Sequence, residues 1–134
     1  MKYLLDTNIC IFVIRRKPAL VLERFLQQSP DEVAISSVTL AELRYGADKS
    51  TSPFRNHAAL NSFLTPISVS DFDSFAADEY GKVRADLERR GTPIGPLDTM
   101  IAAHALSMKV TLVTANTSEF SRVSGLVCED WTVP

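Results

Sequence analysis

Four short stretches place oxygen-bearing side chains where an apolar run gives way to a turn or a helix. "LLDTN" ends on Asp6, Thr7 and Asn8, "AELRYGA" carries Glu42, "GPLDTM" carries Asp98, and "LVTANTSEF" carries Thr114, Asn116 and Glu119. Each has a structural explanation when taken alone. Asp, Thr and Asn are common helix caps, so Asp6 reads equally as a cap or as a site residue. A glutamate within a helix, as Glu42 would be, is commonly solvated. Asp98, in the first turn of a helix, complements the positive end of the helix dipole. Thr117 or Ser118 followed by Glu119 suits a helix start. Taken together they suggest different chemistry. Carboxylates held close repel one another and burial adds to the cost, so a chain gathers them chiefly where a cation neutralises them. An all-oxygen set suits a hard ion, Mg²⁺ or Mn²⁺, rather than zinc. Cys10 and Cys128 lack metal-ligand spacing and read as reduced core residues. His57 and His104 are too few for a nuclease of the two-histidine kind and read as packing or surface residues.

The elements that would position these groups follow from the apolar pattern. "KYLLD" (2–6), "VAIS" (33–36), "ISVSD" (67–71), "VTLVT" (110–114) and "LVCE" (126–129) are short runs suited to strands buried on both faces. Between them, helices are expected over 8–16 and 19–28, separated at Pro18, then over 37–49 and 54–64. The clearest period lies in 72–90, where Phe72, Ala76, Tyr80, Val83 and Leu87 recur at helical spacing. Gly91 stops that helix, and Pro96 opens another that runs to about Met108 and stacks Asp98 with Ile101, Ala102 and Ala105. Alternating strands and helices predict an α/β fold with a mostly parallel sheet, a single domain over 1–134. Sites in such sheets form beyond the carboxyl ends of the strands, where Asp6 and Thr114 stand and Glu42 follows. No segment has the unbroken apolar length of a membrane span. Asp6 and Asn8 interrupt the first apolar run and no small-residue cleavage site follows, so a signal peptide is not expected and a cytoplasmic protein is.

"LLDTN", "AELRYGA", "VRADLERRGTPIGPLDTMIAAHAL" and "LVTANTSEFSRVSGLVCEDW" occur in an order that resembles the PIN-domain ribonucleases, and among them the VapC toxins of bacterial toxin–antitoxin pairs. The resemblance spans essentially the whole chain and reaches the C-terminal Trp131. It implies a three-layer α/β/α domain and an Mg²⁺-dependent endoribonuclease. Catalytic roles carry over to Asp6, Glu42 and Asp98, with Asp6 and Asp98 as the metal ligands. The fourth family position, often aspartate, is matched by Asn116, and Glu119 nearby could take up the charge. Thr7 and Thr114 could position water or phosphate. One tight ion site, with a second ion arriving with substrate, is the expectation. Arg44, Arg84, Arg89 and Arg90 are candidate RNA contacts, and Arg15, Arg16 and Lys17 form a further basic run; a solvated helix face is the alternative for each. The family implies a cognate antitoxin whose tail inserts a basic or aromatic side chain into the acidic pocket. It also implies a homodimer packed through helices near 37–64, where Leu40, Leu43, Leu60 and Phe63 fit either an interface or the core. Structured RNA, with initiator tRNA as one class, is the implied substrate.

The charge balance bounds these readings. With 14 basic and 16 acidic side chains, the net charge of −2 argues against a protein that lives by nonspecific phosphate contacts. A phosphatase of the haloacid dehalogenase type would also place an aspartate after the first strand, but Asn8 stands where its general acid should be. A non-catalytic interaction domain remains open, separable by its indifference to Mg²⁺. DNA nucleases of the wider superfamily are longer, with added DNA-binding elements.

Overall fold

The structure is a computed structural model that describes all residues from Met1 to Pro134. Five strands, β1 (Tyr3–Leu5), β2 (Val33–Ser36), β3 (Ser68–Ser70), β4 (Thr111–Val113) and β5 (Cys128–Glu129), form one sheet in the order β3-β2-β1-β4-β5. Every pairing is parallel, with Tyr3 opposite both Val33 and Thr111. β1 and β2, inside the sheet, are buried along their whole length. The edge strands, expected to be buried on both faces, are not: Ser68 and Val69 of β3 and Glu129 of β5 are exposed, because an edge strand has a neighbour on one side only. The alternate side chains of the inner strands explain why their apolar runs are continuous. Leu4, Ala34 and Leu112 enter one core, while Tyr3, Leu5, Val33, Ile35 and Val113 enter the other.

Helices cover both faces and complete three layers. On one side, α1 (Thr7–Arg15), α2 (Ala19–Leu26) and α4 (Pro53–Leu64) bring Ile9, Cys10, Val13, Val21, Leu60 and Phe63 onto the sheet. On the other, α5 (Ser74–Arg89) and α6 (Pro96–Met108) bring Val83, Leu87, Ile101 and Ala105. Between these layers, α3 (Ser37–Asp48) sends Leu43 into the first core and Val38 into the second. A short α7 (Thr117–Phe120) follows β4. Trp131 is fully buried against the edge of Tyr3, its indole N–H donating to Glu129 Oε1 at 2.9 Å.

The helix ends depart from the sequence expectations by a residue or two, for capping reasons. The helix expected from residue 72 starts at Ser74 because Asp73 caps it, accepting the Ala76 N–H at 3.0 Å. Ser36 likewise caps α3, accepting the Val38 N–H at 3.0 Å. Pro53 and Pro96 occupy first turns, where a missing N–H costs nothing. Cys10 is buried as expected, whereas Cys128 is only half-buried, because β5 is an edge strand; both are free thiols. No helix is long and apolar enough to cross a membrane.

Candidate active site

The carboxyl ends of β1, β2 and β4 point the same way in a parallel sheet, so the residues that follow them meet at one edge. Asp6 stands where β1 passes into α1 and is 5% exposed. Its Oδ1 accepts the Ile9 N–H at 2.9 Å and so caps α1. Capping and site placement therefore coincide in one side chain. At the end of the neighbouring β4, the fully buried Thr114 lies beside Asp6, and its Oγ1 accepts the Asn116 N–H at 2.9 Å. Burial is the largest influence on Asp6 and, against the polar influence of Thr114 and the Ile9 N–H, pushes its pKa up to about 6. The charges of Asp98 and Glu42 push in the same direction.

Glu42 reaches the same edge from the middle of α3. Its Oε1 accepts the Thr7 hydroxyl at 2.7 Å, which leaves Oε2 without a side-chain partner. Asp98 projects from the first turn of α6, behind Gly95 and Pro96. Burial raises its pKa, followed by the charges of Glu119 and Glu42. Glu119 lies in α7, where its Oε2 accepts the Asn116 carboxamide N–H at 2.7 Å. Asn116 and Glu119 thus form a unit, in which the amide orients the carboxylate.

The structure therefore brings Asp6, Glu42, Asp98 and the Asn116–Glu119 pair within electrostatic reach of one another. No salt bridge joins any of these acids to a basic side chain. No three His, Cys, Asp or Glu side chains converge tightly enough to hold an ion among themselves alone. That arrangement fits Mg²⁺, which commonly takes one or two carboxylates, keeps several waters and takes the rest from substrate. The donor set is all oxygen, partly buried and short of positive charge, so the residues fit a hard divalent cation.

The candidate basic contacts are placed differently. Arg44 points along α4, with its guanidinium 2.9 Å from His57 Nδ1 and donating to Asn61 Oδ1 at 2.7 Å. Arg84 is held on the exposed face of α5 by Glu88 and the Tyr80 hydroxyl, both at 3.0 Å. Arg90 pairs with Asp86 at 2.7 Å. Arg89 is exposed in the last turn of α5, and Arg15, Arg16 and Lys17 are exposed around the end of α1. None of these arginines is bonded to the acid cluster.

Sequence reasoning did not pair Thr7 with Glu42, nor Ser36 with His104, whose Nδ1 lies 2.8 Å from the serine Oγ. Both are contacts between distant segments, and neither left a local signal of the pairing in the sequence. Beside the site, a largely apolar groove of about 940 Å³ starts at Thr7, Asn8 and Glu42 and runs between α1, α3 and α4. It adjoins the acids through Glu42 and Leu97.

Comparison with known proteins agrees with this architecture. The family model described as PIN domain matches residues 3–126. The chain is 53% identical over 131 residues to the tRNA(fMet)-specific endonuclease VapC of Shigella flexneri, covering 98% of each sequence. It is similar to a chain in the crystal structure of DNA-bound VapBC from Salmonella typhimurium, with a TM-score of 0.93, 48% identity and 98% of each chain covered. A chain of VapBC-1 from nontypeable Haemophilus influenzae matches with a TM-score of 0.89 and 36% identity, over 99% of this chain and 100% of that one.

Proposed function

This chain belongs to the PIN-domain family and to the VapC ribonucleases within it, and on that premise we propose that its acid cluster hydrolyses a phosphodiester of structured RNA with the help of Mg²⁺. Its class is that of an RNA-cleaving hydrolase, the endonuclease toxin of a toxin–antitoxin pair. The observation that carries the mechanism is the state of Asp6: a buried carboxyl raised to about 6, with Asp98 and Glu42 adding negative charge and no basic side chain paired with it. Such a cluster destabilises the fold unless a cation enters it.

Asp6 and Asp98 are the residues to hold the ion, Asp6 fixed by the Ile9 N–H and Asp98 by the first turn of α6. When bound, a divalent cation would polarise a phosphate oxygen and make nearby water more acidic. Glu42 accepts the proton of the attacking water: Thr7 occupies Oε1 and fixes the carboxylate, leaving Oε2 as the base. Asn116 orients Glu119, which sets the negative charge opposite Asp98. Mn²⁺, with the same preference for oxygen, should substitute for Mg²⁺.

The relatives named for tRNA(fMet) suggest initiator tRNA as the substrate here. The neighbours that are VapBC complexes suggest a cognate antitoxin as partner, and the cytoplasm, where tRNA is found, as the working compartment. A homodimer through the middle of the chain is in keeping with Phe54 and Tyr45, exposed by 90% and 64%.

The test is cleavage of total RNA, and of purified initiator tRNA, by antitoxin-free protein in Mg²⁺, in EDTA and with Asp98→Asn. Discrete cuts that need the ion and vanish in the variant are expected. Cleavage that persists in EDTA would overturn the metal-dependent mechanism; total RNA cut elsewhere, with initiator tRNA intact, would overturn the substrate.

A further inference from the structure

The mechanism above leaves His104 unused, although it is 2% exposed and makes a polar contact inside the core. It sits in α6, the helix that carries Asp98. Its Nδ1 lies 2.8 Å from Oγ of Ser36, the fully buried residue that ends β2 and caps α3. This is the one side-chain hydrogen bond between α6 and the start of α3, the helix that carries Glu42. The contact is enclosed from a third side. Ser37 Oγ accepts the Phe72 N–H at 2.9 Å, and the Phe72 ring meets the imidazole edge-on at 5.5 Å between centroids.

Proton bookkeeping assigns the direction of the bond. Ser36 Oγ already accepts the Val38 N–H at 3.0 Å, so its own proton is free to donate, and His104 Nδ1 is the acceptor in reach. The imidazole is then neutral, with its hydrogen on Nε2. Burial favours that neutral form by lowering the pKa, against the charges of Asp73 and Asp71 in the loop before α5. The Nδ1–H tautomer would leave the buried serine proton without its acceptor.

We propose that His104 is a positioning residue: by accepting the Ser36 hydroxyl proton it anchors the first turn of α3 to α6, and so sets where Glu42 stands relative to Asp98. The inference rests on the nuclease reading of those two acids. A helix pinned at its cap moves as a rod, so a small shift at Ser36 displaces the Glu42 carboxylate further along it. Proton transfer is sensitive to displacements well below the size of a water molecule.

The experiment compares kcat and KM for Mg²⁺-dependent RNA cleavage in the wild type, His104→Phe and His104→Asn, each also in a Glu42→Gln background, with folding checked by circular dichroism. Phenylalanine fills the volume without an acceptor, whereas the asparagine Oδ1 takes the place of Nδ1. His104→Phe should lower kcat by about ten- to a hundredfold with KM nearly unchanged. His104→Asn should recover most of that loss, and in the Glu42→Gln background His104→Phe should cost little more. If His104→Phe does not fold, Ser36→Ala removes the same proton together with the Val38 cap, and must show at least the same loss of kcat and the same dependence on Glu42. In the intact protein, ¹⁵N shifts of the imidazole should report an unprotonated Nδ1. A folded His104→Phe with wild-type kcat, an equal loss in both backgrounds, or a proton on Nδ1 would overturn this proposal alone. A wild-type chain that cuts no RNA in Mg²⁺ would take the nuclease reading down with it.

Discussion

Asp6 and Asp86 are the same side chain in opposite circumstances. On the exposed face of α5, Asp86 faces Arg90 one helical turn away at 2.7 Å, and that guanidinium holds its carboxyl below the ordinary value. At the sheet edge, Asp6 is buried, its neighbours Asp98 and Glu42 are acids, and its carboxyl rises to about 6. On α5 the chain supplies the counter-charge itself. At the edge it does not, although arginines are available, because Arg44, Arg84 and Arg90 are each committed elsewhere. A salt bridge there would satisfy the acids and block the site. Leaving them unsatisfied creates a demand for an external cation, and catalysis can be built on that demand.

The largest expected effect breaks the acidic side of this contrast. Glu42→Gln keeps the shape and the Thr7 contact but removes the proposed base, and kcat for RNA cleavage should fall by about 10²–10⁴-fold. A loss of less than about threefold would show that general-base catalysis by Glu42 is not needed.

The next effect concerns stability in EDTA. Between pH 3.8 and about 6 the folded chain keeps on Asp6 a proton that the unfolded chain has lost. The unfolding free energy therefore falls as pH rises through that window and levels off above it, by on the order of 3 kcal/mol from this group. Asp98, also raised, acts with the same sign. Asp6→Asn, which can still cap α1, should flatten the profile and stabilise the EDTA-treated protein at pH 8 while abolishing cleavage. Urea titrations at several pH values would measure this; a stability that rises with pH across the window would contradict the account.

Mg²⁺ should replace the missing counter-charge where the acids are ionised. Thermal melts at pH 8 should shift upward with added Mg²⁺, by about 2.7 kcal/mol of stability at a concentration a hundredfold above its dissociation constant. The shift should shrink at pH 5, where the proton on Asp6 competes with the ion. Equal shifts at both pH values would place the ion elsewhere. The smallest effect belongs to α5. Asp86→Ala should lower the melting temperature only slightly, and high salt should erase the difference, because both partners are substantially exposed. A large, salt-resistant loss would remove the distinction between the two regions.

Much of the architecture was legible in the sequence, and for a specific reason. Strands buried on both faces are largely apolar, so β1, β2 and β4 stood out as runs despite the terminal Ser36 and Thr111, and the helices between them showed their period. The less regular ends were harder to read. Asp73 ended the expected reach of α5 by capping it, and the edge position of β5 left Cys128 half-buried. The acids were identifiable because Asp6 ends a recognisable run, Glu42 lies in the helix after one, and Asp98 opens a helix marked by Pro96. Their partners were not. Thr7 meets Glu42, and Ser36 meets His104, across long stretches of chain whose local patterns carry no trace of the contact.

The order of apolar runs, turns and acids by itself determined an α/β domain with carboxylates near the ends of its strands. Only the tertiary structure decided that Asp6 loses its water, that Glu42 is steered by Thr7, that Asn116 is bound to Glu119, and that Arg44, Arg84 and Arg90 are occupied elsewhere. The physical reason is range. Backbone periodicity and capping act over one or two turns of chain and leave their mark on neighbouring residues. Burial and electrostatic coupling depend instead on which distant segments the packed sheet brings together.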